Sequence, residues 1–307
     1  MISIIVPCYN EESIIEIFTN TLEKELDKLD DKFELIFVDN NSTDNTFSLI
    51  KKTLSNNHRY KIIRLANYFG KESAILSGLD NATGESSIIM DPDLEDPPDL
   101  IPELIKKWKA GNEVVFTIRK SEKLPTYKKI LKFFFYKILV FSSADHNKIY
   151  ANSGDFRIID KKIVEHIKTM RERTRFLRGL VNYIGYNQTF IEYERSFRKK
   201  GKSKSSINFL IKYGFDSLVS FSNVPISLVT KFGLILFILI IVFSIFLLIQ
   251  RLFGTAIEGF TTVLLFMGLL SSFNILALGI VGEYVSRIYS EVKGRPNYII
   301  DRIETNN

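Results

Sequence analysis

Four carboxylates fall within six positions of the stretch Met90-Asp91-Pro92-Asp93-Leu94-Glu95-Asp96-Pro97-Pro98. Just before it, Ser86-Ser87-Ile88-Ile89-Met90 reads as a short buried strand, and the Pro-Pro pair after it opens a helix. Asp91 and Asp93 stand two apart. At an extended strand end such a pair points the same way, so two hard oxygen ligands can converge on one divalent cation. An acidic surface turn ahead of a proline-started helix is the plainer use of the same residues. What favours chemistry is the chain upstream, which builds a nucleotide-sized site around this point.

Residues 1–120 alternate strand and helix signals. Ser3–Val6, Phe33–Val38, Tyr60–Leu65, Ser86–Met90 and Glu113–Ile118 read as strands, with amphipathic helices between them. Ile14, Ile15, Phe18, Leu22 and Leu26 recur at helical spacing in the first of these helices. This alternation predicts a parallel sheet covered on both faces. The loops after the first three strands carry Pro7-Cys8-Tyr9-Asn10-Glu11, Asp39-Asn40-Asn41-Ser42 and Asn67-Tyr68-Phe69-Gly70-Lys71. All emerge at the edge where open α/β sheets bind ligands. Asp39 is placed to accept hydrogen bonds from a base or ribose, and Lys71, at a helix start, to meet a phosphate. There is no G-x-G-x-x-G and no Walker loop, which argues against dinucleotide binding and P-loop chemistry.

Composition excludes other classes. Cys8 is the single cysteine, so no disulfide framework exists, and His58, His146 and His166 lack zinc-ligand spacing. Ile2–Val6 reads as a strand and not as a secretory signal. The net charge of +6 is concentrated: Arg195 to Phe215 holds seven basic residues and no acid.

The segments Ile5-Val6-Pro7 with Asn10-Glu11, Val38-Asp39-Asn40-Asn41-Ser42-Thr43-Asp44 and Asp91-Pro92-Asp93-Leu94-Glu95-Asp96-Pro97-Pro98 resemble glycosyltransferase family 2. Within it they look like the polyprenyl-phosphate glycosyltransferases. The resemblance implies a GT-A (Rossmann-like) α/β fold, a nucleotide-sugar donor (a UDP-sugar before GDP-mannose), and Mg²⁺ or Mn²⁺ held by Asp91 and Asp93. It places Pro7, Tyr9, Glu11, Asp39, Lys71 and Asp91 at the donor, and Asp155 with Asp93 as catalytic residues. Asp155, in Asn152-Ser153-Gly154-Asp155-Phe156-Arg157, matches the family's carboxylate facing the acceptor; by sequence alone, an aspartate after glycine is a turn. Two departures stand out, Asn40 where the family often has aspartate and Glu95 for a common glutamine.

Arg195 and Arg198, three apart, can face one anion and grip phosphate oxygens bidentately. With Ser203 and Lys204 they resemble the family's acceptor-phosphate motif, although Ser205 replaces a common tyrosine. A nucleic-acid patch is the other use of such a run, but this one leads into two uncharged stretches, Phe232–Ile249 and Phe260–Val281. Each is long enough to cross ~30 Å of hydrocarbon. The expected organisation is a catalytic domain at 1–205, an amphipathic juxtamembrane segment at 206–228, a two-helix transmembrane hairpin at 229–282 and a tail at 283–307. Lys204, Lys212 and Lys231 before the hairpin, and Arg287, Lys293 and Arg295 after it, put the catalytic domain and both termini in the cytoplasm, at the inner membrane. Pro125–Phe141, where lysines interleave with aromatics, reads as a core helix or as one lying on anionic lipid.

The function expected is inverting transfer of a sugar to polyprenyl phosphate. The partners are donor, lipid acceptor and bilayer, with no nucleic acid and with a homo-oligomer left open. Two alternatives stand beside it. A polysaccharide synthase usually carries Gln-x-x-Arg-Trp, and Trp108 lies in no such motif. A catalytically inactive membrane adaptor is the other.

Overall fold

The computed structural model describes residues 1–54, 58–120, 153–170, 172, 177–194, 224–252 and 259–306. Of these, residues up to 194 together with 295–306 form one unit, and 224–294 form a second. The expected helix at Pro125–Phe141 and the run Arg195–Lys204 lie outside the described residues.

The first unit is an eight-stranded sheet in the order β7-β5-β6-β4-β1-β2-β3-β8. Its strands are β1 Ile2–Cys8, β2 Phe33–Asp39, β3 Arg59–Leu65, β4 Ser86–Ile89, β5 Val114–Arg119, β6 Ser153–Asp160, β7 Gln188–Tyr193 and β8 Ile300–Thr305. The helices are α1 Ile15–Leu26, α2 Thr46–Thr53, α3 Lys71–Asp80, α4 Ile101–Lys109, α5 Lys161–Thr169 and α6 Leu177–Ile184, with a 3₁₀ turn Pro98–Leu100 before α4. The two-residue period of the strands fills a core on each face. Ile4, Val6, Leu35 and Phe37 pack with Phe18 and Leu22 of α1, while Ile5, Ile36 and Val38 pack with Ile75 and Leu79 of α3. A Cβ on Gly78 of α3 would collide with the Ile5 side chain, so glycine is what lets this helix lie so close to β1.

Strands β1 to β4 are parallel, as the strand–helix alternation predicts. The sheet as a whole is mixed, which that alternation does not predict. Strand β6 enters antiparallel between β4 and β5, and β8 runs antiparallel to β3. The first insertion matters for chemistry, because β6 begins at the edge where β1 to β4 end. Asp155 is therefore a strand residue, third in β6, and not part of a turn after Gly154.

The segment from 283 onward, expected as a tail apart from the catalytic domain, divides in two. Its first part continues the last helix, and Ile300–Thr305 closes the sheet beside β3.

The second unit holds α7 Val224–Leu252 and α8 Phe260–Val292. Phe232 meets Phe273 with ring centroids 5.2 Å apart, and Phe243 meets Phe266 at 5.8 Å. Positions that ascend along α7 meet positions that descend along α8, so the pair is antiparallel. Leu234, Ile238, Val242, Ile275 and Leu278 lie exposed on its surface. Among the described residues one stretch, Phe266–Val292, is long and apolar enough to cross a membrane, and Val229–Phe243 is a shorter apolar stretch. Both expected spans are thus helical, and one of the two meets the length and composition of a span.

Candidate active site

The loops leaving β1, β2 and β3 are laced together. Asn10, at φ 52°, donates its backbone N–H to Ser42 Oγ at 3.0 Å, and its side-chain oxygen accepts from Thr43 N at 2.8 Å. Glu11 N donates to Thr46 Oγ1 at 2.8 Å. Asn40 reaches in both directions, through its own N–H to the Cys8 carbonyl and through its amide oxygen to Phe69 N, each at 2.9 Å. An aspartate oxygen could accept the second bond equally well, so the departure at Asn40 keeps the tie. Tyr9 and Tyr68 face each other across two of these loops, with centroids 4.4 Å apart.

Asp39, at the end of β2, is fully buried. Its Oδ1 accepts from Ser42 N at 3.1 Å, and Arg64 Nε stands 3.7 Å from its Oδ2. Burial raises its pKa against the pull of Ser42 and Arg64. A buried carboxylate short of donors suits an N–H of a bound base.

The centre of the site is a four-residue cluster. Gly70, at φ 86°, turns the chain into α3, whose first residue is Lys71. The Lys71 ammonium donates to Asp91 Oδ2 at 2.7 Å and to Asp155 Oδ2 at 2.8 Å. Arg178, in the first turn of α6, donates through Nε to the other Asp155 oxygen at 2.7 Å. Burial pushes the Asp155 carboxyl up, but Lys71 and Arg178 more than offset this and hold it well below the ordinary carboxylate range. Burial also raises Asp91, Lys71 pulls it back, and the like charge of Asp155 adds to the rise, which wins.

Asp93 lies in a turn and not at an extended strand end. Its Oδ1 accepts from Glu95 N at 3.1 Å while Leu94 adopts φ 57°. The donor set nonetheless fits a divalent ion: Asp91 already holds one cation, the Lys71 ammonium, and both aspartates offer hard oxygens. Among the described residues no group of three or more His, Cys, Asp or Glu could hold an ion unaided. Ions of the Mg²⁺ type need only one or two protein carboxylates where substrate phosphates complete the shell.

A second cluster anchors the carboxylate stretch from behind. Asp96 is buried and accepts from the Tyr193 hydroxyl at the end of β7 and from Arg119 Nη2, at the end of β5, at 3.4 Å. Arg119 Nε also donates to the Tyr193 oxygen at 3.2 Å.

Of the residues singled out in the sequence, Lys71, Asp91 and Asp155 come together, and Pro7, Tyr9, Glu11 and Asp39 sit on the adjoining strand ends and loops. Lys71 meets carboxylates where a phosphate was expected. Arg195, Arg198, Ser203 and Lys204 lie outside the described residues. Sequence reasoning missed Arg178, Arg119 and the bond from Tyr193 to Asp96. Nothing marks Arg178 among 41 lysines and arginines.

The family model for glycosyl transferase family 2 matches residues 3–168, more than half of the chain. The chain belongs to glycosyltransferase family 2. This family 2 enzyme is 36% identical to an uncharacterised glycosyltransferase of Synechocystis sp., over 97% of its own length and 94% of that protein's. It is 33% identical to a prophage bactoprenol glucosyl transferase homolog of Escherichia coli, over 99% of each. Its GT-A-like fold is also that of the glucosyl-3-phosphoglycerate synthase of M. tuberculosis, with a TM-score of 0.50 and 16% identity over 72% of this chain and 80% of the other. The likeness to the synthase concerns the fold alone. With family and cluster both in place, the inactive-adaptor reading has no feature in its favour.

Proposed function

We propose that this enzyme moves a sugar from a nucleotide-sugar donor, a UDP-sugar before GDP-mannose, to a polyprenyl phosphate at a membrane surface. The observation that carries this is the Lys71–Asp91–Asp155–Arg178 cluster at the ligand-binding edge of the sheet, in a chain whose full-length relatives include bactoprenol glucosyl transferases.

The donor diphosphate would lie over Asp91 and Asp93, with the base toward Asp39 and the Tyr9 loop. A divalent ion held by the two aspartates would supply Lewis-acid stabilisation of the charge on the leaving diphosphate. The acceptor needs little help to react. A phosphate monoester carries about −1.5 to −2 charge at neutral pH, so its oxygen is already a nucleophile. That oxygen forms the new bond to the anomeric carbon from the face opposite the departing diphosphate, which keeps the electron pair of the broken C–O bond. Configuration is thereby inverted. Asp155, held as a carboxylate by two cations, is a poor proton acceptor and serves better to orient groups than to deprotonate them. Arg195 and Arg198, with Ser203 and Lys204, would hold the acceptor phosphate for in-line attack.

The helical pair is proposed as the anchor, crossing the inner membrane twice with the catalytic domain and both termini in the cytoplasm. Strand β8 supports this, since its pairing with β3 keeps residues 300–305 on the same side of the bilayer as the sheet. Two crossings between residues 194 and 295 would agree with that pairing. The bases flanking the helices support the cytoplasmic side.

The test is mass spectrometry of lipid products formed by the full chain from undecaprenyl phosphate and a panel of nucleotide sugars. One donor should give a lipid heavier by one sugar residue, with nucleoside diphosphate released, and excess EDTA should stop the reaction. No glycosylated lipid from any donor would overturn the acceptor assignment.

A further inference from the structure

The Lys71 ammonium occupies Asp91, the carboxylate assigned to the metal, and shares itself with Asp155. Lys71 and Arg178 face Asp91 and Asp155, and with Asp93, the second aspartate assigned to the metal, three carboxylates stand against two cations. Lys71 Nζ lies 2.7 Å from Asp91 Oδ2, and a divalent ion on the same carboxylate would stand close enough for their repulsion to be large. Lys71 can leave. Its side chain is 42% exposed, it hangs from the first turn of a helix, and its four-carbon stem rotates freely.

Charge then decides when it leaves. A divalent ion alone, with Lys71 still in place, would turn this partly buried set net positive, which is unfavourable. The diphosphate of a nucleotide sugar brings two negative charges of its own, cancels that surplus and supplies the oxygens that two aspartates cannot. We propose that Lys71 is a stand-in cation that closes the donor-free site, so that the metal ion enters with the nucleotide diphosphate and displaces Lys71 from Asp91. Metal and donor are thereby coupled, each tightening the other by the same factor. This rests on the metal reading of Asp91 and Asp93 given above, and beyond it assigns Lys71 the part of an internal competitor.

The experiment titrates Mn²⁺ into the full chain in detergent and reads free Mn²⁺ by electron paramagnetic resonance, with and without UDP. Wild type should bind Mn²⁺ weakly alone and at least about tenfold tighter with UDP, about 1.4 kcal/mol of coupling. Lys71→Gln should bind Mn²⁺ alone at least about tenfold tighter than wild type and gain correspondingly less from UDP. Lys71→Arg keeps the charge and should bind Mn²⁺ alone as weakly as wild type. Asp91→Asn should bind it in neither condition.

The outcomes separate the two readings. If Lys71→Gln binds Mn²⁺ no tighter than wild type, or Lys71→Arg binds as tightly as Lys71→Gln, the stand-in role is wrong and the metal site survives. Should Asp91→Asn bind Mn²⁺ like wild type, the metal assignment fails and takes the inference with it. A thermal melt of each variant separates lost binding from lost fold.

Discussion

Two lysine–carboxylate clusters stand at opposite edges of one sheet, and we assign chemistry to only one of them. At the amino edge Glu34 is buried, and its Oε1 pairs with Lys61 at 2.8 Å. Its Oε2 accepts from Ser3 Oγ at 2.8 Å and from Thr83 N and Oγ1 at 3.0 Å each. Lys61 spends a further proton on the Asn81 carbonyl at 2.8 Å. Burial would raise Glu34, but these donors outweigh it, and its pKa is lowered. At the carboxyl edge one lysine serves two carboxylates, and Asp91 is left raised. A carboxylate with every oxygen satisfied ties β1, β2 and the turn after α3 together. A carboxylate sharing its cation is poised to take another.

Breaking each cluster should therefore damage different quantities. Asp91→Asn should lower kcat/KM by about 10³ or more, roughly 4 kcal/mol in the barrier, and leave the melting temperature close to wild type. Glu34→Gln should do the reverse. One amide NH₂ would face the Lys61 ammonium or the Thr83 donors, costing about 1–3 kcal/mol of stability, with kcat per folded molecule unchanged. Paired melts and initial rates check both. A Glu34 variant that stays stable yet loses turnover would erase the distinction between the edges.

Arg178 sharpens the comparison at lower cost. It has no counterpart at Glu34, where neutral donors complete the shell. Arg178→Met removes the hydrogen bond to Asp155 Oδ1 and leaves Lys71 on Oδ2, so kcat should fall by about 10- to 100-fold, in the range of a misplaced positioning group. The KM for the donor should barely move. Arg178→Lys should recover part of the loss by restoring the charge without the fixed geometry. Equal loss of donor affinity, measured by calorimetry, would place Arg178 at the donor instead.

How much of this was legible in the sequence depends on how far apart the partners lie in the chain. Strands β1 to β4 announce themselves through local apolar runs such as Ile2–Val6 and Leu35–Val38. Asp91 and Asp93 are legible because their spacing is local. Strand β6 is not, since its place between β4 and β5 is set by pairing with residues 35 to 74 positions away. Asp155 consequently looked like part of a turn. Strand β8 is obscured for another reason: as an edge strand it is largely exposed, and Ile300-Asp301-Arg302-Ile303 shows no clean alternation. Arg178 finds Asp155 across 23 residues by the packing of a helix whose apolar side, Leu177, Leu180 and Val181, carries the visible signal. The arginine rides on that packing, and no local pattern reports it.

The smallest expected effect lies beside the cluster, at Glu72, and it is a pH effect. Glu72 follows Lys71 in α3 and accepts from Leu177 N at 3.3 Å, which ties α3 to the start of α6. Burial pushes its carboxyl up from 4.5 to about 7; Asp155 adds to the rise, while Lys71, Arg178 and the Leu177 bond oppose it. The folded pKa therefore lies above the unfolded one, so folding takes up a proton. That contribution is complete below pH 4.5 and is lost as pH rises through about 7. Glu72→Gln keeps an oxygen for Leu177 N and removes the titration. Its melting temperature should vary less than that of wild type between pH 5 and 8. At pH 8 it should be the more stable of the two, by on the order of 1 kcal/mol. Glu34→Gln in parallel should not flatten the curve between pH 5 and 8, because the Glu34 pKa is displaced downward. Thermal melts of the full chain at half-unit pH steps make the measurement. If wild type and Glu72→Gln trace parallel curves, Glu72 ionises as an ordinary surface carboxyl, and the charged cluster at this edge is confined to Lys71, Asp91, Asp155 and Arg178.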